Sequence, residues 1–283
     1  MSPAEVHLEE KLRGFLLEDL GSGDITTEAL ISEGLKAEAV ITCNESAKIS
    51  GASEVASLFS SLGCQVSILR KDGSSIQMGT EVLRIRGPAR QILIGERVAL
   101  NLLGRMSGIA TETHKLRDLI HKINPQLRLA ATRKTAPGLS AFDKKAVHDG
   151  GGDTHRMRLD DAVLIKDNHL KILGSVKRAV TQARAKVSFT KKIEVEVENE
   201  AQLREAAESG ADIILLDNMN PAKVSHCVRV LEKLGLRKKV LLEASGGITA
   251  DNLADYARTG VDVLSMGALT KSVRSIDFSL EIL

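Results

Sequence analysis

Residues 132–169 hold the densest set of chemically capable side chains in the sequence. Cations and histidines alternate there with glycines and short apolar runs, in TRKTAPGLSAFDKKAVHDGGGDTHRMRLDDAVLIKDNH. An arginine offers a planar fork of donors and a lysine offers a mobile point charge, so the set suits a small, multiply anionic ligand. The cations are Arg133, Lys134, Arg156 and Lys166, and the histidines are His148, His155 and His169.

Carboxylates follow further along the chain. In KKIEVEVEN, the alternation of a strand places Glu194, Glu196 and Glu198 on one face. Three acids on one face cannot all be buried unpaired. Glu196, near the end of the strand, is the best candidate for a functional carboxylate, and an ion pair with a cation in the lumen is the alternative. Asp217 closes the apolar run IILLD, and with Glu196 it could hold Mg²⁺, directly or through water, or ribose hydroxyls.

Lys166 and several glycines stand at other element ends. Lys166 closes the apolar run AVLIK, where a Schiff-base nucleophile, a phosphate binder and a solvated surface charge all remain open. The pair Gly246-Gly247 and the later Gly267 predict an anion site built from backbone N–H groups, with tight turns as the alternative. The run at 150–152 predicts a flexible loop that could fold over a ligand.

The first part of the chain must position these groups without a βα repeat. Helical spacing at residues 4–19 is followed by GSGDITT, a turn and helix cap. Strands are predicted at 37–43, 65–69 and 81–85, with a helix at 52–62 between them. A long helix begins after Pro88, and Gly104 and Gly108 interrupt its apolar stripe near Arg105. This interruption is the best candidate for a domain boundary.

A βα rhythm begins after residue 127. Strands are predicted at 127–132, 162–165, 193–197, 213–216, 240–243 and 261–265, with helical segments between the later ones. Repeated βα units imply a parallel sheet. Because polar residues recur at the carboxyl ends of several strands, a closed barrel is favoured over an open doubly wound sheet, which would gather ligands at one switch point.

Composition excludes several classes of function. A net charge of +2 over 283 residues gives no global field, so any attraction for anions is local. Aromatic residues make up only 2% of the chain, which argues against stacking on nucleic acid. Cys43, Cys64 and Cys227 lack metal-site spacing and are expected to be buried thiols in a reducing compartment. With no signal peptide and no membrane-length apolar run, we expect a soluble, cytoplasmic protein that binds neither nucleic acid nor membrane.

Taken together and in this order, the motifs resemble the quinolinate phosphoribosyltransferase family. The resemblance covers nearly the whole chain, and its joint pattern is specific although each piece alone is short. It is carried by GDITT (23–27), RMSGIAT (105–111), TRKTAPGL (132–139), GGGDTHR (150–156), LIKDNH (164–169), EVEVEN (194–199), LLDNM (215–219), EASGGI (243–248) and GALTKS (267–272).

The resemblance implies an α/β fold with two domains. An N-terminal α/β sandwich domain would span residues 1–108, and a C-terminal α/β barrel with fewer than eight regular strands would span 109–283. The last helix could pack back on the N-terminal domain. The family makes nicotinate mononucleotide, pyrophosphate and CO₂ from quinolinate and phosphoribosyl pyrophosphate (PRPP), with Mg²⁺, in NAD biosynthesis. It forms homodimers with active sites shared between subunits, and some members form hexamers.

The resemblance also assigns roles to residues of this sequence. Quinolinate would be bound by Arg105 of the neighbouring subunit and by Thr132, Arg133, His155 and Arg156. The catalytic residues would be Lys134, Lys166, Glu196 and Asp217, which would also meet PRPP, and Glu196 and Asp217 would bind Mg²⁺. The phosphate end would be formed by Ser245, Gly246, Gly247, Met266, Gly267 and Ala268.

Two departures and three rival functions complete the expectations. Arg158 stands where many members carry a small or polar residue, so it could add a cation to the site or pair with Asp160 or Asp161. Lys271 stands where some members carry a histidine. The rivals are a nicotinate phosphoribosyltransferase without decarboxylation, a non-catalytic sensor of phosphoribosyl ligands, and a lyase with Lys166 as its Schiff base. The two carboxylate clamps favour the diacid, and the retention of Lys166, Glu196 and Asp217 favours catalysis.

Overall fold

The computed structural model describes residues 3–283, with side chains from His7 onward. The chain divides into two compact units. Unit 1 comprises residues 1–112, 148–151 and 273–283, and unit 2 comprises 113–147 and 152–272. Among the described residues, no helix is both long and apolar enough to cross a lipid bilayer.

The strands of the described chain have three to five residues in unit 2 and two to nine residues in unit 1. They are β1 (Lys36–Cys43), β2 (Ala47–Lys48), β3 (Gln65–Ile68), β4 (Ser75–Ile76), β5 (Thr80–Pro88), β6 (Arg128–Ala130), β7 (Val163–Ile165), β8 (Ile193–Val197), β9 (Ile213–Asp217), β10 (Leu241–Ser245), β11 (Val263–Ser265) and β12 (Phe278–Ile282).

Helices flank these strands in both units. They are α1 (Pro3–Leu20), α2 (Ile25–Leu30), α3 (Ala52–Ser61), α4 (Ala89–His121), α5 (Ser140–Asp149), α6 (Asp167–Leu173), α7 (Val176–Lys186), α8 (Glu200–Glu208), α9 (Pro221–Lys233), α10 (Leu253–Ala257) and α11 (Ala268–Lys271), with a 3₁₀ turn at Arg237–Lys239.

Unit 1 is built on an antiparallel sheet in the order β12-β1-β5-β3. Helix α3 packs against β3 and β5, and α1 packs against α3. The strands and helices predicted in this part of the sequence all form, and Asp24 caps α2 by accepting a hydrogen bond from the Thr27 N–H at 3.0 Å. Ile41, Phe59 and Leu83 are fully buried in its apolar core, where each side chain is worth about 1.5–3 kcal/mol.

Helix α4 runs without a break through Gly104 and Gly108, the two glycines that interrupt its apolar stripe. A Cβ on Gly104 would lie 2.7 Å from the Ile276 carbonyl oxygen, and one on Gly108 would lie 1.9 Å from that of Arg274. The glycines are therefore required because the C-terminal segment passes directly against the helix. Glycine lowers helix propensity but also permits close approach, and here the close approach explains both residues.

The last residues of the chain form a strand. β12 pairs antiparallel with β1, with Phe278 opposite Cys43, whereas the last helix, α11, belongs to unit 2. The segment that joins the N-terminal sheet at the end of the chain is therefore a strand, and the packing of the last helix stays a prediction. The edge of β1 offers unpaired backbone groups, and an extended segment satisfies them.

Unit 2 contains a parallel sheet in the order β6-β11-β10-β9-β8-β7. Each strand from β7 to β10 pairs with its successor in the chain, and β11, the last strand of this sheet, pairs with the first, β6. This circular order is that of a barrel with fewer than eight strands, as expected, and not that of an open doubly wound sheet. On the other edge of β6, Ala130 forms a parallel bridge with Asp153, so residues 153–162 occupy the seam between β6 and β7.

Candidate functional site

The carboxyl ends of the unit 2 strands bring the predicted polar residues to one level. In the register of the sheet, Ser245 lies beside Asp217 on one side and Ser265 on the other, and Ser265 lies beside Ala130. Thr132, Lys134 and Lys166 follow directly after β6 and β7. Parallel strands force this convergence, because all their carboxyl ends meet at one edge of the sheet.

These ends surround a cavity of about 560 Å³. It has space for a ligand larger than a single phosphate, and its lining lies entirely within unit 2. The lining residues are Thr132, Arg133, Lys134, His155, Arg156, Leu164, Lys166, Asp167, Glu196, Glu198, Leu215, Asp217, Asn218, Glu243, Ser245, Gly246, Gly247 and Ser265.

Four of the predicted site residues stand outside this lining. Met266, Gly267 and Ala268 follow β11 directly, and Met266 is buried, its N–H donating to the Ala130 carbonyl at 3.0 Å. Arg105 lies on α4 in unit 1 and is half-buried. The described structure therefore gathers the other predicted residues in one cavity and leaves Arg105 on a separate unit.

Lys166 and Glu196 form an ion pair on the cavity wall. The Lys166 ammonium donates to Glu196 Oε1 at 2.6 Å, with the side chains 44% and 13% exposed, respectively. The Lys166 backbone N–H donates to Nδ1 of His169 at 2.9 Å, which fixes the start of α6. The alternative of a lumen ion pair for Glu196 is therefore observed, and the pair faces the space that a ligand would occupy.

Gly246 and Gly247 allow a second wall of the cavity to form from backbone. Gly246 has φ +86°, and a Cβ there would lie 2.2 Å from Oδ1 of Asn218, whose own φ is +53°. The Asn218 amide in turn donates to Asp217 Oδ2 at 2.7 Å. Gly267 permits another close approach, because a Cβ on it would lie 2.9 Å from Cδ of Lys134. These glycines thus have structural reasons beyond the tight turn considered from the sequence.

His155 lies between two buried carboxylates that sequence reasoning did not assign. Its Nε2 is 3.5 Å from Glu194 Oε2 and 3.3 Å from Glu243 Oε2. Burial alone would lower the pKa of His155, but the hydrogen bonds to Glu194 and Glu243 outweigh it and raise the pKa to about 10. Burial raises the pKa of Glu194, against the lowering effect of His155.

The same three residues offer ligand atoms within 4.8 Å of one another, close enough to share a metal ion. The hydrogen bonding of His155 favours a proton instead. Its Nε2 faces both carboxylates, whose charges favour the protonated ring, and a protonated ring offers no lone pair to an ion.

The segment 151–156 is tied down and does not form the flexible loop expected from its glycines. The backbone N–H of Asp153 donates to the Leu129 carbonyl at 2.7 Å, and its backbone carbonyl accepts from the Ala131 N–H at 2.8 Å. A Cβ on Gly152 would lie 2.8 Å from side-chain atoms of Thr113 and Val147. The expectation was wrong because glycine here permits close packing beside β6.

Lys144, for which the sequence predicted no role, holds this segment in place through hydrogen bonds. It lies on α5, has no exposed surface, and donates to the carbonyl oxygens of Thr154 and Arg156 at 2.6 and 2.5 Å. A lysine on a helix gives no sequence signal of burial, because most such lysines are solvated. Glu194 and Glu243 did give a signal, namely an acid within an apolar strand.

Arg158 and Lys271 can now be placed. Asp161 accepts hydrogen bonds from the backbone N–H groups of Met157 and Arg158, at 2.5 and 3.1 Å, and so closes the loop that follows Arg156. The interaction of Asp161 with Arg158 therefore includes the backbone, which the sequence did not predict. Lys271 is exposed at the end of α11.

Comparison with known proteins agrees with this architecture. Family models for the N-terminal and C-terminal domains of quinolinate phosphoribosyl transferase match residues 24–107 and 109–281. A protein of Methanothermobacter thermautotrophicus named probable nicotinate-nucleotide pyrophosphorylase (carboxylating) is 49% identical over 273 residues, which cover 96% of this chain and 97% of that protein. The human nicotinate-nucleotide pyrophosphorylase (carboxylating) is 38% identical over 254 residues, covering 90% and 85%.

A solved structure gives the same result in three dimensions. The nicotinate-nucleotide pyrophosphorylase of Francisella tularensis superimposes with a TM-score of 0.89 at 36% identity, over 100% of this chain and 98% of that one. Fold, motifs and family models agree along almost the whole sequence. The chain belongs to the quinolinate phosphoribosyltransferase family.

Proposed function

We propose that this enzyme transfers the phosphoribosyl group of PRPP to quinolinate and releases pyrophosphate and CO₂, giving nicotinate mononucleotide for NAD biosynthesis. The observation that carries the proposal is one cavity lined by three kinds of group. Arg133, His155 and Arg156 provide positive charge, Glu196 and Asp217 provide carboxylates, and Gly246-Gly247 provides exposed backbone. These groups match a pyridine dicarboxylate, a ribose and a phosphate, respectively.

The cationic residues would bind the diacid. Arg133, His155 and Arg156, with Thr132 beside them, would hold the two ring carboxylates, since arginine forks match carboxylates geometrically. Arg105 would reach the same ligand from the partner subunit of a homodimer, and dimers could assemble into hexamers. The location of Arg105 on unit 1, with the cavity lined from unit 2 alone among the described residues, supports this arrangement.

The remaining residues would act on the donor. Lys134 and Lys166 would meet the phosphoribosyl group, and Glu196 and Asp217 would accept hydrogen bonds from ribose hydroxyls. Ser245, Gly246, Gly247 and the segment Met266, Gly267 and Ala268 would hold the 5′-phosphate. As the bond from C1′ to pyrophosphate breaks, positive charge develops on the sugar, and nearby carboxylates stabilise it.

The later steps need little from the protein beyond position. The quinolinate nitrogen forms the bond to C1′, which makes the ring a pyridinium. The bond from C2 to its carboxylate then breaks, CO₂ leaves, and C2 retains the electron pair beside the cationic nitrogen before it takes up a proton. A fixed orientation for the 2-carboxylate is therefore the main contribution of Arg133, His155 and Arg156.

Mg²⁺ fits the carboxylates on this wall. Each of Glu196 and Asp217 has one oxygen engaged, with Lys166 and Asn218 respectively, and one further oxygen available as a hard ligand. Magnesium is commonly held by one or two carboxylates with substrate phosphates and water. When bound it would neutralise charge on the pyrophosphate.

Two further proposals concern organisation. We place the functional boundary between domains at 108/109, supported by the adjoining ends of the two family matches at 107 and 109. We also place the enzyme in the cytoplasm, and the three free, buried cysteines fit such a reducing compartment.

A turnover assay tests the proposed reaction. Purified protein with Mg²⁺, PRPP and quinolinate labelled at the 2-carboxyl carbon should release labelled CO₂ in step with nicotinate mononucleotide. Glu196→Gln should abolish most of this turnover, whereas Glu208→Gln, at an exposed position on α8, should not. Product from nicotinate but none from quinolinate would contradict the proposal and favour the sister transferase.

A further inference from the structure

Residues 153–156 occupy the one seam of the described barrel where regular strand pairing is absent, between β6 and β7. At the seam the Arg156 guanidinium donates to the Ala162 carbonyl at 3.2 Å, just before β7. His155 adopts φ +53°, in the left-handed region that non-glycine residues seldom enter. The orientation of these two side chains therefore requires contacts other than a strand ladder.

Local hydrogen bonds account for part of this orientation. The His155 N–H donates to Asp153 Oδ1 at 2.8 Å, and the Thr154 hydroxyl donates to the His155 carbonyl at 3.0 Å. These contacts all lie within the segment. They leave the carbonyl groups of Thr154 and Arg156, which flank His155 on both sides, to be held from outside.

Lys144 supplies that external contact. Its ammonium donates to both carbonyl oxygens, at 2.6 and 2.5 Å, and its side chain is fully buried. Because a single buried ammonium binds the carbonyls before and after His155, it fixes the directions of the two peptide planes. The His155 ring and the Arg156 side chain are thereby set toward the cavity that both line.

The surroundings of Lys144 indicate that it is not placed there for stability. Burial, together with the positive charges of Arg133 and Arg156, lowers its pKa to about 8, against the raising effects of Asp161 and Asp153. A buried ammonium is costly, and it is costlier still beside two other cations. Its charge does add to the positive potential where an anionic ligand would lie.

We propose that Lys144 is a positioning residue that orients His155 and Arg156 for the carboxylates of the aromatic substrate and strengthens the local positive potential. This inference rests on the proposed function, because quinolinate is the ligand that the function assigns to these side chains. Lys144 touches neither substrate nor the reacting atoms in this account. It acts through the backbone of residues 154–156.

Calorimetric binding by the intact enzyme tests the inference. In Lys144→Met, the quinolinate Kd should rise about tenfold to a hundredfold, as expected for loss of charged hydrogen bonds. The Kd of PRPP with Mg²⁺ should change by less than about twofold, because Lys144 does not contact the residues that we propose bind PRPP. Lys233→Met, at an exposed position on α9, is the matched control and should leave both values unchanged.

Amide hydrogen exchange supplies a readout that needs no substrate. In Lys144→Met, exchange in the peptide covering residues 154–157 should accelerate, while peptides from β9 and β10 keep their protection. If Lys144→Met does not fold, Lys144→Gln, which keeps N–H donors on a shorter side chain, takes its place.

The possible results separate the two proposals. Unchanged quinolinate affinity in the variant overturns the role of Lys144, and so does an equal loss of affinity for both ligands, which would mark a general structural defect. Wild-type enzyme that fails to bind quinolinate rejects the proposed function instead. In that case, unchanged exchange at 154–157 rejects the positioning by Lys144 as well.

Discussion

Two walls of the same cavity are built by opposite means. The cationic wall, formed by Arg133, His155 and Arg156 and supported by Lys144, depends on side chains held by buried charges. The glycine wall, formed by Gly246 and Gly247, depends on backbone in the left-handed region, with φ +86° and +65°. The first wall can be weakened one contact at a time, whereas the second has little tolerance for a side chain, above all at Gly246, where a Cβ would meet Asn218.

The largest expected effect concerns whether the cationic wall is complete within one subunit. Arg133→Ala and Arg105→Ala should each lower kcat/KM for quinolinate by about two to three orders of magnitude, since each leaves a carboxylate without its charged partner. If Arg105 acts across a dimer, mixing the two variants under subunit exchange should restore activity to about one quarter of wild type. Each mixed dimer then has one intact site.

Complementation distinguishes the two possible locations of Arg105. If Arg105 served its own subunit, every site in a mixed dimer would carry one defect and no activity would return. Size-exclusion chromatography with light scattering on the same mixture establishes that dimers form. Normal quinolinate affinity in Arg105→Ala would remove this residue from the site altogether.

The next largest effect tests the rigidity of the glycine wall. Gly246→Ala forces a side chain into φ +86° and a Cβ to within 2.2 Å of Asn218 Oδ1. Strain and overpacking together should cost about 2–5 kcal/mol of unfolding free energy. Urea unfolding measures the loss, and the KM for PRPP should rise because Asn218 also orients Asp217.

Gly235→Ala is the matched control for this substitution. Gly235 also has positive φ, at +68°, but a Cβ there meets nothing within 4 Å. It should therefore lose only the conformational part, about 1–2 kcal/mol, with unchanged KM. Equal losses in the two variants would show that contact with Asn218 is unimportant.

The contrast between the walls also explains what the sequence could predict. Glycines after strands, and cations beside them, are visible because few other residue types serve there, and the strand ends of a parallel sheet converge by geometry alone. The support of the cationic wall is not visible in the same way. Nothing local to Lys144 indicates burial, and the pairing of Glu194 with Glu243 through His155 depends on sheet register.

Glycine was also the main source of error. The sequence predicted a gap in an apolar stripe at Gly104 and Gly108 and flexibility at Gly152, and the structure has close packing at each. The residue type is the same in both situations, so only the neighbouring segment decides between them. The neighbours of Gly152 include Thr113 and Leu129, which lie 39 and 23 residues away, and Arg274 lies 166 residues from Gly108, so these contacts are beyond any local pattern.

The buried Lys144 that supports the cationic wall should make the free energy of unfolding depend on pH. Lys144 has a folded-state pKa of about 8, below its ordinary value of 10.5. Between these values the unfolded chain binds more protons than the folded one, so stability rises with pH across that window. The contribution is complete above pH 10.5 and is lost as pH falls through 8, with a total of roughly 3 kcal/mol.

The difference between wild type and Lys144→Met isolates this effect. His155 has a raised pKa of about 10, so its contribution is present at neutral pH and is lost as pH rises toward 10. Both proteins carry His155, so the comparison removes the part of its contribution that does not depend on Lys144. Urea unfolding from pH 7.5 to 10.5 should show wild type gaining on the variant. Parallel curves would show that Lys144 is not a strained, buried ammonium.

The smallest expected effect is at Gly267, which lies beside Lys134. A Cβ on Gly267 would approach Cδ of Lys134 to 2.9 Å, but that atom belongs to a flexible side chain and the φ of Gly267, −65°, suits any residue. Gly267→Ala should therefore cost little stability, about 0.5–1 kcal/mol at most.

The same substitution should affect the binding of PRPP. The Lys134 side chain must shift while its backbone stays fixed by the Thr270 hydroxyl, which donates to the Lys134 carbonyl at 2.8 Å. The KM for PRPP should rise by roughly threefold, the equivalent of that displacement energy, with the quinolinate KM unchanged. A loss as large as that of Gly246→Ala would mean that the Lys134 side chain is held rigidly, so that a cation of this cavity cannot move away from an added atom any more than Asn218 can.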